Sequence, residues 1–167
     1  WWYPIYEALV ALDVPAMVHA STTCNPAFHT TGSHYLNVDS TAFMQIFEST
    51  VLKDFPTLRL IISHGGGNVP YQAARYHAIG LMNKWEAFET VLRRLYFDTT
   101  VYSVDAMEML VKTVGVDNVM FASEMLGGVN AIDPQTNRLF DDNKPCLDAL
   151  AWLNPEDRRK IFETNAL

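Results

Sequence analysis

The sequence predicts an α/β protein with a parallel sheet, and two features carry the prediction. Four short runs of branched and aromatic apolar residues occupy positions 16–19, 58–63, 95–98 and 119–122. None of them alternates polar with apolar residues, the pattern of strands buried on both faces. Segments of helical spacing separate the runs, and such alternation builds βα units joined by right-handed crossovers. About four units make half of an eight-fold barrel, or most of a small doubly wound sheet.

The elements follow in order. A helical stretch precedes the first run. Residues 21–39 then form a loop too long for a mere connection, and loops of that length are usually functional. Residues 40–53 carry Phe43, Ile46, Phe47 and Val51 at helical spacing, with Ser40 placed as the N-cap. Residues 70–82 and 85–92 supply a pair of helices. After the third run, residues 104–114 set Met107, Leu110, Val111 and Val114 on one stripe. A second long loop covers 126–144. Asn154, Pro155, Glu156 and Asp157 open the closing helix, with Asn as N-cap, Pro in the first turn and acids beside the positive dipole end. No repeat, low-complexity stretch or Gly/Ser linker divides the chain, so residues 1–167 read as one domain.

Composition excludes several functions. The chain has 12 Lys and Arg against 19 Asp and Glu, a net charge of −7 with histidines neutral. An acidic chain without a basic run lacks the footprint of a nucleic-acid binder. Apolar residues make up 49% and charged residues 19%, which is globular rather than disordered composition. The longest apolar runs fall far below the roughly 18 residues that span a bilayer. Cys24 and Cys146 are too few for a disulfide framework and lack CxxC spacing, so they read as free thiols of the reducing cytoplasm.

In parallel α/β folds, ligands bind at the C-terminal ends of the strands. Here those ends carry His19, His64, Asp98 and Glu124, each able to ligate a metal or move a proton. Singly, a His can be structural and Asp98 can cap the turn at Thr99 and Thr100. Glu124 is harder to explain so, because a carboxylate closing an apolar strand is costly unless paired or cation-bound. The four together favour a site. Gly65, Gly66 and Gly67 after His64 can aim N–H groups at an anion, or simply make a tight turn. Arg75 reads either as a bidentate partner of a substrate carboxylate or as part of a solvated helix face. Residues 22–35, with Asn25, His29 and Tyr35, are rich in small polar donors suited to an oxygen-rich small molecule. They hold no nucleophile–base signature.

At these residues the chain resembles the amidohydrolase superfamily, in the branch of hydratases and decarboxylases related to aminocarboxymuconate-semialdehyde decarboxylase. The likeness runs over essentially the whole chain, through the stretches 19–25, 29–35, 54–58, 64–67, 121–125, 127–134 and 140–142. Glu124, where the superfamily usually has Asp, marks the members that hydrate oxalomesaconate. The resemblance implies the C-terminal half of a metal-dependent (β/α)8 TIM barrel, strands five to eight. It implies a zinc-dependent hydro-lyase, or one using another divalent metal, that adds water to a C=C bond of a polycarboxylate in protocatechuate or gallate catabolism.

Carried over by position, His19 matches the fifth-strand metal ligand and Glu124 the eighth-strand acidic ligand, which also serves catalysis. His64 matches the sixth-strand acid/base. Tyr35 and Arg75 match positions that hold substrate carboxylates, with Asn25 and His29 in the same substrate-binding set. Ser103 and Asn130 depart from the pattern, which tends to His and Arg at these places. A decarboxylase or hydrolase of the same superfamily, or an inactive metal-free half-barrel, remains the alternative. The superfamily's first-strand HxH ligands are absent from these residues. A barrel takes roughly 250 residues, so the chain is expected to be roughly 80 residues or more short of one. Two open sheet edges would then invite self-association.

Overall fold

In the computed structural model, which describes residues 1–125 and 127–167, four parallel strands form one sheet in chain order. These are β1 (Ala16–Val18), β2 (Leu60–Ile62), β3 (Tyr96–Asp98) and β4 (Val119–Met120). Met17 lies opposite Ile61, Ile62 opposite Phe97, and Phe97 opposite Val119. Chain-ordered parallel neighbours are the layout of successive barrel units; a doubly wound sheet reverses its order at a switch point. Leu126, at the start of the expected second loop, lies outside the described residues.

The α-helices are α1 (Tyr3–Ala11), α2 (Tyr35–Glu48), α3 (Val51–Asp54), α4 (Ala73–Asn83), α5 (Phe88–Leu92), α6 (Val104–Val114), α7 (Lys144–Asp148) and α8 (Pro155–Phe162). In α6 the expected stripe of Met107, Leu110, Val111 and Val114 is buried. The Ser103 hydroxyl caps this helix by accepting the Ala106 N–H at 3.2 Å. Asn154 caps α8 as the sequence predicts, and the Asp157 side chain returns a bond to the Asn154 amide, which completes a capping box. Phe43 packs against Tyr76, Phe88, Phe47 and Phe97 with ring centroids 5.7, 5.9, 6.0 and 6.3 Å apart. Cys24 and Cys146 are free thiols. No helix among the described residues is long and apolar enough to cross a membrane.

Several expectations change. Much of the first long loop is helical: a wide π-helical turn over Thr30–His34 leads directly into α2. Ser40 therefore sits inside the helix rather than at its N-cap. Its hydroxyl donates to the Leu36 carbonyl at 2.8 Å and accepts the Asn68 N–H at 2.9 Å, tying α2 to the turn after β2. The helix expected over 40–53 also breaks at Ser49, whose ψ is 173°, leaving α3 as a separate turn. The second long loop contains a small antiparallel hairpin, β5 (Ile132–Asp133) and β6 (Arg138–Leu139).

Candidate functional site

Strand β2 runs straight into a turn in which His64, Gly65, Gly66 and Gly67 have φ of 51, 60, 79 and 61°. A histidine in the left-handed region is uncommon and needs to be held there. Asp39 of α2, 0% exposed, does so: its Oδ2 lies 2.7 Å from His64 Nδ1, while its Oδ1 accepts the Ser63 hydroxyl at 3.1 Å. With Nδ1–H donated to Asp39, the opposite nitrogen of the ring, Nε2, faces Glu124 Oε1 at 3.2 Å. Burial lowers the His64 pKa, but the hydrogen bond and charge of Asp39, with Asp98 and Glu124, outweigh it and raise the value above that of an ordinary imidazole.

Glu124 is half-buried, and its other oxygen accepts the Tyr102 hydroxyl, which also lies 3.2 Å from Asp141 Oδ1. Burial, followed by the Glu124 carboxylate, pushes the Tyr102 phenol pKa up, so it stays protonated. The Tyr35 ring stacks on His64 at 5.7 Å and meets His19 edge-on at 5.6 Å, and the His19 and His64 rings are 5.0 Å apart. His19 is exposed, with Nδ1 2.8 Å from the Ala20 carbonyl, which leaves Nε2 as its available nitrogen. Tyr35, Leu36, His64, Tyr102, Glu124 and Val129 are among the walls of a cleft of about 450 Å3.

The glycine run does not act as an anion cradle. The Gly65 amide donates to Asp98 Oδ1 at 2.9 Å, Gly66 to the Ser63 carbonyl at 2.9 Å, and Gly67 to the His64 carbonyl at 3.0 Å. All three donors are spent inside the fold. The glycines are there for space, since a Cβ on Gly66 would come within 2.7 Å of the Phe97 ring.

Asp98 likewise takes its plainer role, accepting the Gly65 and Thr100 amides at 2.9 and 3.0 Å. Burial nevertheless raises its pKa above the ordinary carboxylate value, against those bonds and His64. A carboxyl of this kind stabilises the fold where it is protonated, below an unfolded value of about 4, and that contribution is lost as pH rises through the folded value. Asp98→Asn keeps the acceptor and cannot ionise. Its stability relative to wild type is expected to rise as pH is raised above about 4 in urea unfolding. A difference that stays flat across that range contradicts the raised value.

Asn25, His29 and Arg75 are exposed and stand apart from the cleft walls. Asn25 Oδ1 accepts the Ala27 amide at 3.0 Å and His29 Nδ1 the Gly32 amide at 2.9 Å, so both serve their own loop. Among the described residues, no Arg or Lys lines the cleft.

The profile of the amidohydrolase family matches residues 1–167. The chain belongs to the amidohydrolase family. This amidohydrolase is 47% identical over 165 residues to a 2-keto-4-carboxy-3-hexenedioate hydratase of Sphingobium sp. strain NBRC 103272/SYK-6, a match covering 98% of this chain and 48% of that one. It is 43% identical to a crystal structure of 4-oxalomesaconate hydratase from Rhodopseudomonas palustris, with a TM-score of 0.87 over 99% of this chain and 48% of the other. A 5-carboxyvanillate decarboxylase from Novosphingobium aromaticivorans, solved with manganese, shares the fold at a TM-score of 0.74 and 20% identity, over 99% of this chain and 50% of that one. The chain thus spans about half the length of the relatives it matches, as the half-barrel reading expects.

Relatives in the amidohydrolase fold bind a divalent metal, manganese in the decarboxylase. Among the described residues of this chain, no three His, Cys, Asp or Glu groups converge closely enough to hold one. His19 and Glu124 are donors of suitable type, but a catalytic zinc site takes three protein ligands plus water. The described residues of this amidohydrolase chain therefore do not complete a catalytic metal site by themselves.

Three residues of the site escape a strand-end reading: Asp39, Tyr102 and Asp141. Asp39 follows Tyr35 by four positions, which places both on one helical face once α2 is known to begin at Tyr35. Tyr102 and Asp141 lie in loops, where spacing carries no comparable signal.

Proposed function

We propose that the chain is the C-terminal half, strands five to eight, of a cytoplasmic zinc-dependent (β/α)8 TIM-barrel hydratase. Its substrate would be an oxalomesaconate-type polycarboxylate of aromatic catabolism. The observation that carries the reading is the line Asp39–His64–Glu124 at the cleft. Hydration of a C=C bond conjugated to a carbonyl places hydroxide on one carbon and a proton on the other. Asp39 keeps Nδ1 of His64 protonated and the ring oriented, so Nε2 is the nitrogen that exchanges the proton. Identities of 47% and 43% to hydratases support this reaction over decarboxylation.

Tyr35, in the cleft wall, is the substrate-holding residue the geometry supports; Asn25, His29 and Arg75 gain no support from it. The zinc of the proposed barrel would take His19 and Glu124 as ligands, with further ligands from outside this chain. The test is a chimera in which this chain replaces the matching half of the Sphingobium hydratase. It is expected to bind metal and to convert an oxalomesaconate-type substrate with a mass gain of one water. Release of CO2, or no turnover by metal-loaded chimera, overturns the reading.

A further inference from the structure

We propose that Asp141 is a positioning residue that clips the loop after β4 onto Tyr102 and thereby fixes the Glu124 carboxylate in the cleft wall. Both oxygens of Glu124 are engaged, Oε1 with His64 Nε2 at 3.2 Å and Oε2 with the Tyr102 hydroxyl. The chain then folds back over it, because the Gly127 and Gly128 amides donate to the Glu124 carbonyl at 2.9 and 3.1 Å. A Cβ on Gly128 would lie 2.7 Å from Glu124 Cβ and 2.8 Å from Asp141 Oδ1, so the three residues are in close register.

Asp141 is 1% exposed, and among the described residues it forms no ion pair. A buried carboxylate is costly unless hydrogen bonds meet it. Asp141 receives the Val129 amide at 2.9 Å on Oδ1 and the Asn130 amide at 2.8 Å on Oδ2, with the Tyr102 hydroxyl 3.2 Å from Oδ1. Asn130 sits at a φ of 55°, a conformation Asn tolerates better than most side chains. The single proton of Tyr102 stands between two carboxylates, with Glu124 the nearer. Asp141 is thus one body with the loop that carries Gly127, Gly128 and Val129 into the cleft wall, and Tyr102 links that body to Glu124.

The catalytic meaning of the clip rests on the hydratase reading, but its test does not. In the 167-residue chain, amide exchange at Val129 and Asn130 and the carbon-13 carboxyl resonance of Glu124 are followed by NMR. Asp141→Asn is expected to speed exchange at both amides about tenfold or more, the loss of two charge-assisted bonds, and to move the Glu124 resonance. Tyr102→Phe is expected to move the Glu124 resonance while exchange at Val129 and Asn130 stays within about twofold. Unchanged exchange in Asp141→Asn removes the clip. An unmoved Glu124 resonance in either variant breaks the link to the site. Tyr102→Phe, which deletes one oxygen, keeps the second arm readable if Asp141→Asn does not fold. Failure of the chimera to hydrate leaves both readouts standing, so the two ideas fail separately.

Discussion

His64→Asn in the chimera is expected to lower kcat for hydration by about 10²- to 10⁴-fold, the range lost when a general acid or base is removed. The substitution isolates the chemistry. Asn accepts the left-handed backbone that His64 adopts at φ 51°, and its amide can still donate to Asp39. What it cannot do is exchange a proton. His64→Ala should lose the same activity and also about 2 to 4 kcal/mol of stability, since Asp39 would be left buried with the Ser63 hydroxyl as its remaining side-chain partner. Asp39→Asn should give a smaller loss in the same direction, because the ring keeps an acceptor at Nδ1 but loses the charge that raises its pKa. Steady-state rates beside urea midpoints for the three variants separate the effects. A kcat for His64→Asn within about threefold of the parent removes His64 from the proton transfer.

The part of this site that was readable from sequence is the part that lies along strands. Ile62, Phe97 and Val119 are buried in short, mainly apolar runs, and the residues just past each run are carried to the C-terminal rim, so His64 and Glu124 announce themselves. The stripe of α6 and the Asn154 cap on α8 were legible for a similar reason, since both depend on neighbours within a few positions. Asp39 was not. Its partner His64 is 25 positions away, and the intervening fold alone brings them together. The start of α2 was hidden as well. Thr30, Thr31, Gly32 and Ser33 are weak helix formers, and Ser40 imitates an N-cap; burial of Asp39 and the bridge from Ser40 to Asn68 extend the helix past those preferences. Tyr102 reaches Asp141 across 39 positions of loop and helix, a contact that no periodicity encodes. The glycine run was open to two readings, and only the fold decides for the tight turn, because all three amides are spent inside it.

That glycine run also sets the second large effect, Gly67→Ala, expected to destabilise the chain by about 4 kcal/mol. Two independent terms add. The backbone at Gly67 has φ 61° and ψ −117°, a region that side chains other than glycine scarcely enter, at a cost of about 1–3 kcal/mol. A Cβ there would also press on the Leu36 carbonyl oxygen and the Ser40 hydroxyl. The first of these is helix backbone in α2, and the second is committed to Asn68, so neither can swing aside without disturbing the other; overpacking of this kind costs about 1–3 kcal/mol more. For a domain of this size the sum is a fall in Tm of about 8 to 16 °C. Gly127→Ala is the matched control, because a Cβ there meets nothing within 4 Å, and its stability is expected to stay within about 0.5 kcal/mol of wild type. If Gly67→Ala unfolds at the wild-type midpoint, α2 is not locked to the His64 turn, and the anchoring of Asp39 against His64 loses its mechanical basis.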